Sequence, residues 1–332
     1  MSAAGNYPHR PRQVLVLETH FAWVFLAGRY AYKLKKPVRH LAMDYRGLAG
    51  RKRGCQEEIR LNRRLAPSVY LSVIPLTLRG GSLSLGKHGR VQDWLVRMRR
   101  LSLPRMLDRT LLTRSLGDQE LERLTRMLAR FYARAKPAPT ARGAYLARLR
   151  RGVSANRAAL RAAGPAIRQA LVESVTQAQR DFIHQARTPI AARGAHVVEG
   201  HGDLRAEHVC LGPPMCIIDC LEFSRDLRLL DPVEELAFLS LEIGRLGHKA
   251  LGADLLRRFL VASNDHVPES VESFYLSYRA SVRAKLAIWH LRDSQYTDPR
   301  PWIRRTNSYL RDADRHIRQA LSRLRRPGPA SA

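Results

Sequence analysis

Between residues 13 and 101 the apolar residues come in short runs broken by turn residues, and beyond Pro104 they recur every three or four positions. That change of period predicts a β-rich front followed by a mainly helical back, an α+β chain. The front reads as QVLVLE, WVFLA and YAYKLKK, separated by the polar break Thr19-His20 and a Gly28-Arg29 turn. A helical pattern follows from Leu48 to Ala66, with Leu61 and Leu65 on one face. VYLSVIPLTL, GSLSLG and VQDWLVRMRRL then complete a sheet of about five strands, the last two joined at Lys87-His88-Gly89. In the back, RMLDRTLL, DQELERLTRMLARFYARA and DPVEELAFLSLEIGRL are among the predicted helices. The expected division is 1–101, 102–326 and a disordered tail, 327–332.

Charge needs a separate reading. The chain carries 58 Lys+Arg against 29 Asp+Glu, a formal net charge of +29. Such a balance attracts polyanions, which makes nucleic acid a partner to weigh. The arginines are nevertheless spread along nearly the whole chain, with no aromatic-interleaved basic block. Arginine-coated helix faces are therefore the favoured explanation. The opening residues hold only the short apolar run VLVL and no cleavage-site pattern. No uncharged apolar run reaches about 18 residues, so no membrane partner is expected. Cys55, Cys210, Cys216 and Cys220 make a poor disulfide framework at this length, which fits a cytoplasmic protein.

The chemistry gathers in GHGDLRAEHVCLGPPMCIIDCLEF, residues 200 to 223. Two short strands joined by a Gly-Pro-Pro turn bring Asp203 and Asp219 to one edge. Paired carboxylates at a strand edge suit phosphoryl transfer: one accepts the proton of an attacking hydroxyl and the other holds Mg²⁺. A zinc site built from His208 and the nearby cysteines lacks the tight Cys-x₂-Cys pairs such sites use, so the cysteines read as small hydrophobes. His201 reads as a loop-positioning group.

HGDL, followed five residues after its Asp by a polar side chain and then by IID, resembles the catalytic and metal-binding loops of aminoglycoside phosphotransferase and choline kinase relatives. These form the small-molecule branch of the protein-kinase-like fold. ETHFAWVFLAGRYAYKLKKPV, EEIRLNRRLAP, RMRRL, LEFSRDLRLLDPVEELAFL and FYLSYRASVRAK extend the resemblance over most of residues 14 to 290, as in an uncharacterised bacterial subgroup. The resemblance implies a bilobal fold with a small β-rich N-lobe and a larger helical C-lobe. It also implies ATP (or GTP) and Mg²⁺ as cofactors and a small-molecule hydroxyl as acceptor.

Carried over residue by residue, the resemblance makes Asp203 the catalytic aspartate, Asp219 the metal ligand and Lys33 the phosphate-binding lysine. Lys35 shares the strand face of Lys33 and is its alternative. Glu58, on the face of Leu61 and Leu65, is preferred to Glu57 as the lysine's partner. Thr19, in the turn that stands in place of a G-x-G-x-x-G loop, and Met98, in RMRRL, are assigned to the nucleotide. His208 stands where the superfamily usually has Asn. It either orients Asp203 by a hydrogen bond or belongs to a site that uses one metal or accepts Mn²⁺. DCLE lacks the Phe-Gly of protein kinases, and Glu222 is expected as a further carboxylate near the metal. Tyr275, Arg279 and Arg283 lie at i, i+4 and i+8 of one helix. They form either an acceptor site for an anionic or polyhydroxylated molecule or a face whose arginines pair with acids elsewhere. Two rivals stand beside phosphotransfer: a non-catalytic kinase-like protein that binds nucleic acid, and a nucleotide-binding pseudokinase. Without G-x-x-x-x-G-K-[ST] a P-loop kinase is not expected.

Overall fold

The computed structural model describes residues 1–40, 43–86, 88–289, 291 and 298–326. The expected tail, 327–332, and Lys87 of the predicted turn lie outside the described residues. In chain order the front supplies β1 (Val14–Glu18), β2 (Ala22–Ala27), β3 (Tyr30–Lys35), the short pair β4 (Arg39–His40) and β5 (Met43–Asp44), and α1 (Leu48–Asn62). It continues with β6 (Tyr70–Arg79), β7 (Ser82–Leu85), β8 (Arg90–Arg99) and α2 (Leu107–Leu111). Next come α3 (Asp118–Arg134), α4 (Arg142–Arg161), α5 (Gln169–Gln185), α6 (Arg187–Ala192) and β9 (Val198–Glu199). The hairpin strands β10 (Val209–Cys210) and β11 (Cys216–Ile217) are followed by β12 (Leu229–Leu230). The chain then runs through α7 (Pro232–Arg245), α8 (Lys249–Ser263), α9 (Glu269–Trp289) and α10 (Arg300–Arg325).

Two compact units result. One comprises Met1–Arg114 with His201–Arg228, the other Ser115–Gly200 with Leu229–Ala332. The expected break at residue 101 and the assignment of both acidic loops to the helical part differ from this division. The reason lies in the core. Cys210 and Cys216 of the hairpin are buried with Cys55 and Ile59 of α1, Tyr70 of β6 and Val96 of β8. A hairpin with two-residue strands buries little by itself, so its apolar residues join the nearest existing core.

In the first unit six strands form one sheet in the order β1-β2-β3-β8-β6-β7, and every neighbouring pair is antiparallel. Side chains alternate across it. Lys33 lies opposite Val96 and Ala31 opposite Met98, on the face that α1 covers. Tyr32, Phe25, Leu95 and Leu76 gather on the other face, where Tyr7 closes the cluster.

The second unit is helical apart from the two-stranded pairing of β9 with β12. Its core packs Val172 and Val175 of α5 against Ala280 and Ala284 of α9 and Tyr309 and Ala313 of α10. Asp231 caps α7, its Oδ1 accepting from Val233 N at 3.0 Å, with Pro232 opening the helix. No helix among the described residues is long and apolar enough to cross a membrane.

Candidate active site

The HGDL turn depends on its glycine. Gly202 has φ +91°, and a Cβ there would come within 2.9 Å of Leu221 Cβ and 3.1 Å of Arg228 Cγ. His201 before it is fully buried. Its Nδ1 accepts from Asp203 N at 3.3 Å, and its Nε2 lies 3.0 Å from Ile218 O, so the neutral ring with a proton on Nε2 satisfies both contacts. Burial, helped by neighbouring His208, pulls its pKa down to about 4.

A pH dependence follows. The folded pKa lies below the unfolded value of about 6.5, so the neutral ring's contribution is complete above pH 6.5 and lost as pH falls toward 4. His201→Gln keeps a donor for Ile218 O without the titration. It should flatten the loss of thermal stability between pH 6.5 and 4, by on the order of 3 kcal/mol. Parallel melting curves for the two proteins across that range would refute the assignment.

His208 links the two loops. Its Nδ1 lies 2.9 Å from the Asp203 carbonyl oxygen, and its Nε2 lies 3.6 Å from Asp219 Oδ2. Arg205 Nη1 stands 3.6 Å from Asp203 Oδ2, and the same guanidinium grips Glu207 Oε1. Asp219 adopts φ +62°, a left-handed conformation uncommon outside glycine. Several groups hold it there. Asp219 N donates to Tyr70 Oη at 3.1 Å, and Cys220 N donates to Asn62 Oδ1 at 2.9 Å. Asn62 Nδ2 in turn donates to Glu58 O at 2.8 Å, and buried Arg228 donates to Leu221 O at 2.8 Å. A backbone strain maintained by this many contacts is a functional signature.

The charged groups of β3 and α1 meet the second loop. Lys33 Nζ lies 2.7 Å from Asp219 Oδ1 and 3.0 Å from Glu58 Oε1. Lys35 Nζ lies 2.5 Å from Glu58 Oε2 and also pairs with Glu222, whose Oε1 accepts from Tyr45 Oη at 3.0 Å. Lys33 is 17% exposed and Lys35 only 2%, so Lys33 is the one that can greet a ligand. Burial opposes charge on Lys33, yet Asp219 and then Glu58 hold its pKa well above the usual lysine value. Burial likewise opposes ionisation of Asp219, and Lys33 keeps its carboxyl well below the usual range. Three carboxylates, Glu58, Asp219 and Glu222, face two ammonium groups, and Asp219 Oδ2 lies beyond hydrogen-bond reach of His208. That residual negative charge and the Oδ2 position suit a divalent cation that takes its remaining ligands from phosphate and water. Among the described residues no three His, Cys, Asp or Glu side chains form a ready cage.

The structure thus brings together Lys33, Glu58, Asp203, His208 and Asp219. Glu222 stands close enough to Asp219 and Lys33 to feel their charge, and its carboxylate pairs with Lys35 and accepts from Tyr45. Thr19 sits in the β1–β2 turn, where its Oγ1 donates to Ala22 O at 2.8 Å and accepts from Ala22 N at 3.0 Å. Met98 is partly buried on the Lys33 face of the sheet.

Tyr275, Arg279 and Arg283 belong to the second unit, and all three are buried, at 0%, 9% and 8% exposure. Tyr275 Oη donates to Asp231 Oδ2 at 2.8 Å, Arg279 pairs with Glu234 at 3.0 Å, and Arg283 lies 3.8 Å from Glu242. The stripe meets acids of α7 and its cap, the arginine-pairing arrangement of the two expected: buried guanidiniums need such partners. Tyr45, Asn62, Tyr70, Arg205 and Arg228 were not singled out from sequence. Only Asn62 carried a signal, at i+4 from Glu58 on the buried face of α1.

No model of a known protein family matches the chain. It is 34% identical over 279 residues to an uncharacterised protein of Mycobacterium tuberculosis, a match covering 82% of this chain and 54% of the relative. The chain therefore spans about half the length of the curated relatives it matches. Among solved structures it resembles choline kinase from Cryptosporidium parvum, with TM-score 0.56 and 9% identity over 97% of this chain and 96% of the other. It also resembles a choline/ethanolamine kinase family protein from Mesorhizobium loti, with TM-score 0.54 and 16% identity over 96% and 95%. At such identities the likeness is one of fold, and it agrees with the expected sheet-plus-one-helix front and helical back.

Proposed function

From a chain that is a distant but consistent match to the choline and aminoglycoside kinase superfamily, beside an uncharacterised bacterial subgroup, we infer an ATP-dependent phosphotransferase acting on a hydroxyl of a small molecule. The observation that carries this reading is the meeting of Lys33 with both Glu58 and Asp219, while His208 ties the Asp219 loop to Asp203. In this reading Lys33, held by Glu58, binds the phosphates nearest the nucleoside. Asp219 holds a divalent cation, which when bound neutralises phosphate charge. Asp203 orients the acceptor hydroxyl and takes its proton. Arg205 steadies the Asp203 carboxylate. Positioning and charge neutralisation account for most of the rate, since the transferred group needs little covalent help. The four cysteines are buried thiols, which suits a reducing compartment, and we place the reaction in the cytoplasm.

The test is a phosphate-transfer screen with γ-labelled ATP and a divalent cation against a metabolite extract, paired with thermal melting in the same nucleotide. A hundredfold excess over Kd should stabilise the protein by about 2.7 kcal/mol, and label should reach an acid-stable product. Absence of nucleotide stabilisation and of labelled product together would overturn the reading.

A further inference from the structure

Resting on the phosphotransferase reading, we propose that His208 supplies a nitrogen ligand to the cation site, which therefore selects a transition ion such as Mn²⁺ over Mg²⁺. The Asp203 carbonyl selects the tautomer of the ring. A carbonyl oxygen only accepts, so the 2.9 Å contact between His208 Nδ1 and Asp203 O puts the ring proton on Nδ1. In the neutral ring Nε2 is then the atom with the lone pair, and it lies 3.6 Å from Asp219 Oδ2 and 3.8 Å from Glu207 Oε1. Electron-pair donors facing one another across such a gap repel unless something positive lies between them. At 3.6 Å the two atoms are too far apart for a hydrogen bond. One metal ion fits, because donors closer than about 4.2 Å both reach an ion at 2.0–2.2 Å.

Both donors are fixed and committed. Asp219 Oδ1 belongs to Lys33 at 2.7 Å, which leaves Oδ2 as the oxygen on the His208 side. His208 N donates to Arg205 O at 3.0 Å, and Ile218 N donates to His208 O at 2.9 Å, so the hairpin ladder sets the backbone while the Asp203 carbonyl sets the ring. A ligating histidine held through its other nitrogen by a carbonyl is the usual arrangement in metal sites. Mg²⁺ prefers an all-oxygen shell, whereas Mn²⁺ and later ions accept imidazole.

The experiment is pulsed electron paramagnetic resonance on the full chain loaded with Mn²⁺ and β,γ-methylene-ATP, grown with either natural or ¹⁵N-labelled histidine. Directly bound imidazole gives ¹⁴N modulation that changes to the ¹⁵N pattern on labelling, and His208→Asn should abolish it. Calorimetric titration should show the same substitution lowering the Mn²⁺-over-Mg²⁺ affinity ratio by about tenfold or more. The labelled wild-type spectrum decides the matter even if the variant fails to fold. Bound Mn²⁺ without histidine modulation overturns the nitrogen ligand and leaves phosphotransfer standing. Failure of either cation to promote nucleotide binding overturns both.

Discussion

Asp203→Asn should reduce the rate of phosphoryl transfer by about 10³-fold, within the 10²–10⁴ range of a lost general base, while nucleotide affinity and melting temperature stay near wild type. The geometry separates the two effects. The backbone around Asp203 carries the structural contacts: its amide donates to His201 Nδ1 and its carbonyl accepts from His208 Nδ1. Neither involves the carboxylate, which has Arg205 Nη1 3.6 Å from its Oδ2. Asn has the same shape and can still hydrogen-bond an acceptor hydroxyl, but it cannot take the proton. The loss should therefore fall on kcat, with KM for ATP little changed, a difference read directly from single-turnover transfer to the product found by screening. About 4 kcal/mol of transition-state stabilisation is at stake, since each factor of ten is 1.36 kcal/mol. A variant within threefold of wild type would remove Asp203 from the reaction.

Short-range periodicity carried much of this site and stopped where tertiary partners begin. Alternation along β3 put Lys33 and Lys35 on one face, and both do reach Glu58. Helical spacing with Leu61 and Leu65 favoured Glu58 over Glu57, and Glu58 is indeed fully buried while Glu57 turns to Arg60 and Arg228. Spacing could not say which lysine meets the ligand. That depends on Asp219, 186 residues away, taking Lys33, and on Glu222, 187 residues away, taking Lys35. The stripe on α9 was legible as a stripe, but periodicity reports a shared face and not what covers it. Here the cover is α7 with Glu234 and Glu242. The net charge was a weak guide for a related reason. Several arginines pair within their own helix, as Arg126 with Glu122, Arg258 with Asp254 and Arg318 with Asp314. The positive excess says little about a partner.

Glu58→Ala should be the most damaging change to folding, lowering stability by about 3–5 kcal/mol, the range for breaking a buried ion pair. Glu58 has no exposed surface and gives one oxygen to each of two lysines. Its removal leaves two ammonium groups in a low-dielectric interior with one carboxylate apiece. Like charges on neighbouring positions of one strand face then repel without the anion between them. The effect is best read near neutral pH. Burial resists ionisation of Asp219 and Glu222, but Lys33 and Lys35 respectively hold both carboxyls below their usual range. The stability they contribute is present above the unfolded carboxylate pKa of about 4 and is lost as pH falls through the folded values. Lys35→Met alone should destabilise, because it strands Glu222 and takes one of Glu58's two lysines. In the Glu58→Ala background the same change strands only Glu222 and should cost less. That difference, read by denaturant titration as a coupling between the two sites, distinguishes a shared buried network from two unrelated packing defects. Simple additivity of the two substitutions would mean that the lysines do not compete for Glu58 in solution.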